Sequence, residues 1–158
     1  MQTKIKKEVI SKYLKEKFHS SRLLEYKTLG RGWHGASYRT KFKAKNKTKT
    51  LVLRVKNDFD FSHDYISDSA SSFMLSHEIA NSIPKHAKSI DVVGVKKNNA
   101  VPFGSCREFF QVIEEAEGKE YMEDLIRIKK TGILEEDDKN KALLLSNYLA
   151  NLHNKKYF

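Results

Sequence analysis

The sequence is short of the residues that staple or interrupt a chain. A single cysteine, Cys106, among 158 residues excludes an internal disulfide and leaves no second thiol at metal-ligand spacing. A reducing, cytoplasmic compartment is the expectation. Two prolines and seven glycines are too few for a disordered or collagen-like segment. Apolar residues at 39% and aromatics at 11% suffice for a packed core. Long apolar runs are missing as well. The tightest cluster covers residues 142–145, far below the ~20 residues a spanning helix requires, so no membrane partner is expected. The opening MQTKIKKEVI is too charged for the core of a signal peptide. His34, His63, His77 and His153 show no paired metal spacing, no residue is assigned as a metal ligand, and His63 with Asp64 reads as polar loop.

Acidic residues are absent from one long stretch. Between residues 26 and 57 there is no Asp or Glu, while Lys27, Arg31, Arg39, Lys41, Lys43, Lys45, Lys47, Lys49, Arg54 and Lys56 all fall there. Those ten cations equal the whole formal net charge of +10. Such a field implies an anionic partner: nucleotide phosphates, nucleic acid or an acidic surface. Period-two spacing puts the lysines at 41 to 49 on one face of a strand, and there the alternative is a solvated hairpin that keeps the protein soluble.

Apolar residues recur at helical spacing over residues 4–18 and stop at His19-Ser20-Ser21. Strands are expected at residues 22–29, 36–45, 50–55, 90–95 and 108–113, with a glycine turn at 30–35 and a hairpin tip at 46–48. A helix is expected at 68–82, capped by Ser67 or Asp68 and followed by Pro84. Further helices are expected at 121–128 and 137–154, with a loop at 58–67. Short turns between neighbouring strands indicate an antiparallel, five-stranded sheet with helices set to one side, an α+β fold.

Gly30-Arg31-Gly32-Trp33-His34-Gly35 satisfies the pattern G-x-G-x-x-G. In a dinucleotide-binding fold this pattern opens a helix, but Ala36-Ser37-Tyr38-Arg39-Thr40-Lys41-Phe42 alternates like a strand. The glycines therefore join two strands, as in a kinase flap over ATP phosphates. Side chains at these positions would hold the backbone away from a phosphate. The Gly-Lys-Ser/Thr ending of a P-loop is absent. A simple hairpin turn is the other reading.

Four short motifs, in this order, resemble the N-terminal part of the aminoglycoside phosphotransferase/choline kinase-like family of the kinase-like superfamily. They are residues 29–39 (the nucleotide loop), 51–55 (the third strand), 112–118 (the hinge), and Leu149-Ala150-Asn151-Leu152-His153, which is similar to the end of the helix preceding the catalytic loop. The resemblance implies a kinase-like N-lobe with its hinge at residues 1–118 and the start of a helical C-lobe at 119–158. It implies ATP held by Gly30, Gly32 and Gly35, with Val52 as part of the adenine ceiling. It maps the phosphate-gripping lysine onto Arg54, a departure, because Arg is not a simple replacement for Lys. Lys56, two residues on and on the same face, is the alternative cation. Glu78, the one acid between residues 69 and 88, would hold that cation. Ile113 would limit the back of the adenine pocket, and Glu114 and Ala116 would offer main-chain groups to the base. In the family the catalytic Asp and the Mg²⁺ ligands come later in the chain, so no catalytic residue is assigned here.

The expected function is thus that of an ATP-binding lobe of a small-molecule phosphotransferase, incomplete for catalysis by itself, acting on an unknown acceptor. A protein kinase-like lobe is one alternative. A basic nucleic-acid-binding module is another, weakened because Tyr38 and Phe42 are too few for a stacking platform. The helix at 137–154 carries Leu144, Leu145, Tyr148, Leu149 and Leu152 on one face and Leu143 nearly opposite. Burial of such a helix is expected either between two copies of the chain or against residues 121–128.

Overall fold

The computed structural model describes residues 5–32, 35–56, 65–96, 99–100 and 102–155. Trp33, His34, Asn98, His63 and Asp64 lie outside them, with most of the loop expected at 58–67. The chain forms two units, Met1–Glu115 and Ala116–Phe158.

In the first unit, α1 (Lys7–Lys17) is followed by β1 (Arg22–Gly32), β2 (Gly35–Ala44), β3 (Lys47–Lys56), α2 (Ile66–Ala80), β4 (Ser89–Lys96), β5 (Asn99–Ala100) and β6 (Glu108–Glu114). The strands make one antiparallel sheet in the order β1-β2-β3-β6-β4-β5. This is the expected α+β arrangement of five antiparallel strands, extended by the two-residue edge strand β5. No helix among the described residues is long and apolar enough to cross a membrane.

Alternation along the strands gives the sheet two different faces. Leu51, Leu53 and Val55 of β3 join Phe110 and Val112 of β6, and Tyr38 and Phe42 of β2, beneath Val9, Ile10, Tyr13 and Leu14 of α1. The Tyr13 ring meets Phe110 edge-on at 5.9 Å. Its hydroxyl donates to Asp91 Oδ2 at 3.2 Å, and Lys17 reaches the same oxygen at 3.0 Å, so the helix is tied to β4 at its polar edge. Burial, reinforced by the Asp91 charge, pushes the Tyr13 phenol well above its ordinary value. On the opposite face, Ala70 and Phe73 of α2 pack with Phe109, Cys106 and Val92. The start of α2 is fixed by Asp68, whose carboxylate accepts the Tyr65 N–H at 3.0 Å; the helix begins two residues earlier than expected, with Asp68 inside its first turn.

The hairpin β2–β3 turns at Lys45 and Asn46, both with positive φ (45° and 63°), the geometry of a two-residue type I′ turn. This corrects the expected tip at 46–48, and one further reading with it. Pairing runs Ala44↔Lys47, Phe42↔Lys49, Lys41↔Thr50, always an odd-numbered residue with an even one. Lys41 and Lys43 therefore lie on one face and Lys47 and Lys49 on the other, where Lys49 sits 5.6 Å from the Phe18 ring centroid. The five lysines do not form a single stripe.

The second unit holds α3 (Tyr121–Thr131) and α4 (Glu136–Asn154). Gly132, at φ +69°, closes α3 by donating its N–H to Ile128 O at 2.8 Å. Charge joins the two helices. Arg127 Nη2 contacts both carboxylate oxygens of the buried Asp138, at 2.5 and 2.6 Å, and Lys141 pairs with Asp124 at 2.8 Å. Helix α4 thus lies alongside residues 121–128, yet Leu143, Leu144, Leu145 and Leu149 remain exposed.

The Arg127 hydrogen bond, helped by the Glu135 N–H, holds the Asp138 carboxyl below its ordinary value. A depressed folded-state value contributes stability that is complete above the unfolded value, about pH 4, and is lost as pH falls through the folded one. Asp138→Asn should therefore melt below wild type at pH 7, with the gap closing as pH drops below about 4. Thermal melts followed by circular dichroism at a series of pH values read this directly.

Candidate functional site

The face of β1, β2 and β3 opposite α1 carries Lys27, Ser37, Arg39, Lys41, Lys43 and Arg54. One cross-strand row reads Gly30 on β1, Ser37 on β2, Arg54 on β3, Gln111 on β6 and Val92 on β4. Adjacent strands lie about 4.8 Å apart, so the Gly30 backbone is about 10 Å from that of Arg54. Arg54 is exposed, and its Nη1 donates to Gln111 Oε1 at 3.4 Å.

Gln111 is the polar centre that sequence reasoning missed. It is fully buried, and its Nε2 donates to Ser76 Oγ at 3.1 Å and to Ser89 Oγ at 3.0 Å. His77 Nδ1 lies 2.8 Å from the same Ser89 hydroxyl, and the Asn81 amide brackets Ser89 through its N–H and C=O, each at 3.0 Å. A buried amide without partners would cost several kcal/mol on the order of 2–7; here each end is satisfied. A signal existed in the sequence: Gln111 is the lone polar residue within Phe109-Phe110-Gln111-Val112-Ile113.

The network places α2 relative to Arg54 through Ser76, not through Glu78. Glu78 is exposed and lies two residues beyond Ser76, about 200° around the helix. Among the described residues no ion pair joins it to Arg54. The expected carboxylate partner is thus on the solvent side, and an uncharged amide holds the arginine. Lys56, the alternative cation, sits 5.9 Å over the Phe73 ring.

The three glycines differ. A Cβ built on Gly35 would lie 2.0 Å from Val55 O, so this glycine is required by the close approach of β2 to β3. Gly30 and Gly32 would meet nothing within 4 Å. Among the described residues no neighbour demands glycine at these two positions.

Val52, the expected ceiling residue, is buried, while Ile113 is half-buried. Val52 pairs with Arg39 on one side and Ile113 on the other. Arg39 forms a two-pronged ion pair with Glu115, Nε to Oε1 at 2.6 Å and Nη2 to Oε2 at 3.1 Å. The Glu114 N–H donates to Lys88 O at 2.9 Å, and Ala116 opens the second unit.

No known relative decides between readings. In comparison with known proteins, no family model, no curated protein and no solved structure matches the chain. The case for function rests on the geometry of this sheet face.

Proposed function

We propose that the unit Met1–Glu115 binds ATP on the face of its sheet opposite α1, as the nucleotide lobe of a small-molecule phosphotransferase similar to the aminoglycoside phosphotransferase/choline kinase-like family. The observation that carries this is the row from Gly30 to Arg54. It sets Gly30, within β1 rather than in the turn expected at 30–35 and with nothing within 4 Å of a Cβ built on it, across from an exposed arginine on the same sheet face. Phosphoryl transfer depends on positioning and electrostatics, and both ingredients for holding a polyphosphate are in that row. One of the five guanidinium donors of Arg54 goes to Gln111, which fixes the side chain and leaves a planar fork for phosphate oxygens. Val52 and Ile113 line the base end. Catalytic and Mg²⁺-binding groups would come from a helical lobe, as in the family.

The split of the hairpin lysines between two faces weighs against the nucleic-acid alternative, which needs a continuous basic track. Titration calorimetry with ATP tests the proposal. Wild type should bind weakly, and Arg54→Ala should lose about tenfold or more, the value of a charge-assisted hydrogen bond. Equal affinity in wild type and Arg54→Ala, or no binding at millimolar ATP, would overturn it. Phosphate transfer by residues 1–158 alone, abolished in Arg54→Ala, would place the chemistry inside this chain.

A further inference from the structure

Val52 is buried, yet it belongs to neither apolar cluster of its unit. Its side chain points to the face opposite α1, with Arg54, since Leu51 and Leu53 point into the α1 core. Arg39 and Ile113, its neighbours on β2 and β6, share that face. Glu115 lies two residues beyond Ile113. To reach it, the Arg39 side chain must cross β3, because β2 and β6 flank β3 in the sheet. The ion pair therefore arches over β3 beside Val52, held by one hydrogen bond from Nη2 and a close Nε–Oε1 approach, with both partners only part exposed, 37% and 27%.

We infer that the Arg39–Glu115 pair is a latch closed over the base subsite, and that a nucleobase reaches Val52 only when the pair opens. The inference rests on the nucleotide reading above and adds to it a gate with named parts. Arg39 and Glu115 pair with each other in the free protein, and closed over Val52 they keep an apolar surface from water. A flat aromatic base offers Val52 a better cover than an arched ion pair does, since it is apolar on its face and needs no counter-charge. Opening the latch frees a guanidinium and a carboxylate at the rim of the subsite. Ion pairs of this exposure are worth about two- to fivefold in an equilibrium constant, and closure should reduce apparent affinity by that factor.

Glu115→Gln keeps the shape and removes the charge attraction. Calorimetric titrations of the full chain with ATP, with adenosine and with inorganic tripolyphosphate separate the possible causes. The latch requires adenosine and ATP each to bind about two- to fivefold more tightly to Glu115→Gln than to wild type, with tripolyphosphate unchanged. Arg39→Gln, which opens the latch from the other side while removing a cation, should likewise tighten adenosine. Two results overturn the latch and leave the nucleotide site standing: a gain for ATP and tripolyphosphate without one for adenosine, which is the long-range effect of a lost negative charge, or adenosine affinity equal to or below wild type in both variants. Absence of ATP and adenosine binding to wild type and to both variants overturns the nucleotide reading, and the latch with it. Matching thermal melts of the variants and wild type establish that the comparison is between folded proteins.

Discussion

Alanine at position 35 should destabilise the first unit by about 1–3 kcal/mol, while alanine at position 30 or 32 should change stability by less than about 1 kcal/mol. The contrast follows from what each new methyl would meet. At Gly35 it would lie 2.0 Å from Val55 O, a backbone atom in the ladder between β2 and β3, so strands must part for it to fit. Relief by rotating a side chain is not available. At Gly30 and Gly32 the methyl enters open space, and the loss of glycine's unfolded-state freedom offsets any local cost. Urea denaturation of the three variants checks this. The ATP titration then runs the other way: Gly30→Ala, neutral for stability, should weaken ATP by blocking backbone approach to a phosphate. A destabilised Gly30→Ala, or a neutral Gly35→Ala, would invert the assignment of structural and ligand-facing glycines.

Phe110→Ala should cost about 3–5 kcal/mol. Phe110 has no exposed surface and stands between Val55 of β3 and Val93 of β4, under the edge-on ring of Tyr13. Truncation would leave a cavity at the centre of the α1-facing core, bounded by two paired strands that cannot collapse into it. Phe110→Leu, which restores most of the volume, should cost much less, within about 1.5 kcal/mol. Chemical denaturation reads both, and the difference between them separates cavity from transfer effects. A loss below about 1 kcal/mol for Phe110→Ala would mean that α1 does not close this face.

The same residue set explains why the candidate site was only part visible. Arg54 and its strand companions were legible because β3 alternates cleanly, and because a glycine motif followed by alternation can only be a hairpin. Arg39 was counted among the basic residues of the hairpin with no partner in view. Its pairing with Glu115 spans 76 positions of sequence and depends on β6 lying beside β3. No local pattern carries that information. Glu78 shows the converse: the helix was legible, and the acid within it, but not the rotation that turns Ser76 and His77 to the sheet and Glu78 to water. That rotation is set by Phe73, Ala70 and Ala80, the buried residues of α2.

Local chemistry determined the elements themselves. Apolar spacing placed α1, α2, α3 and α4 within two or three residues of their observed ends, since a helix or strand must turn its apolar side to a core whatever core that proves to be. The one-residue-in-two alternation of β3 assigned its faces for the same reason. Tertiary structure alone decided the rest. The hairpin turn at Lys45 and Asn46 set the parity that divides the lysines between faces, because in a hairpin the turn length fixes which residues share a face. The sheet order put β6 against β3, which brought Gln111 to Arg54 and Glu115 to Arg39. Side chains find partners by proximity in space, and proximity between strands distant in sequence exists only once the sheet has formed.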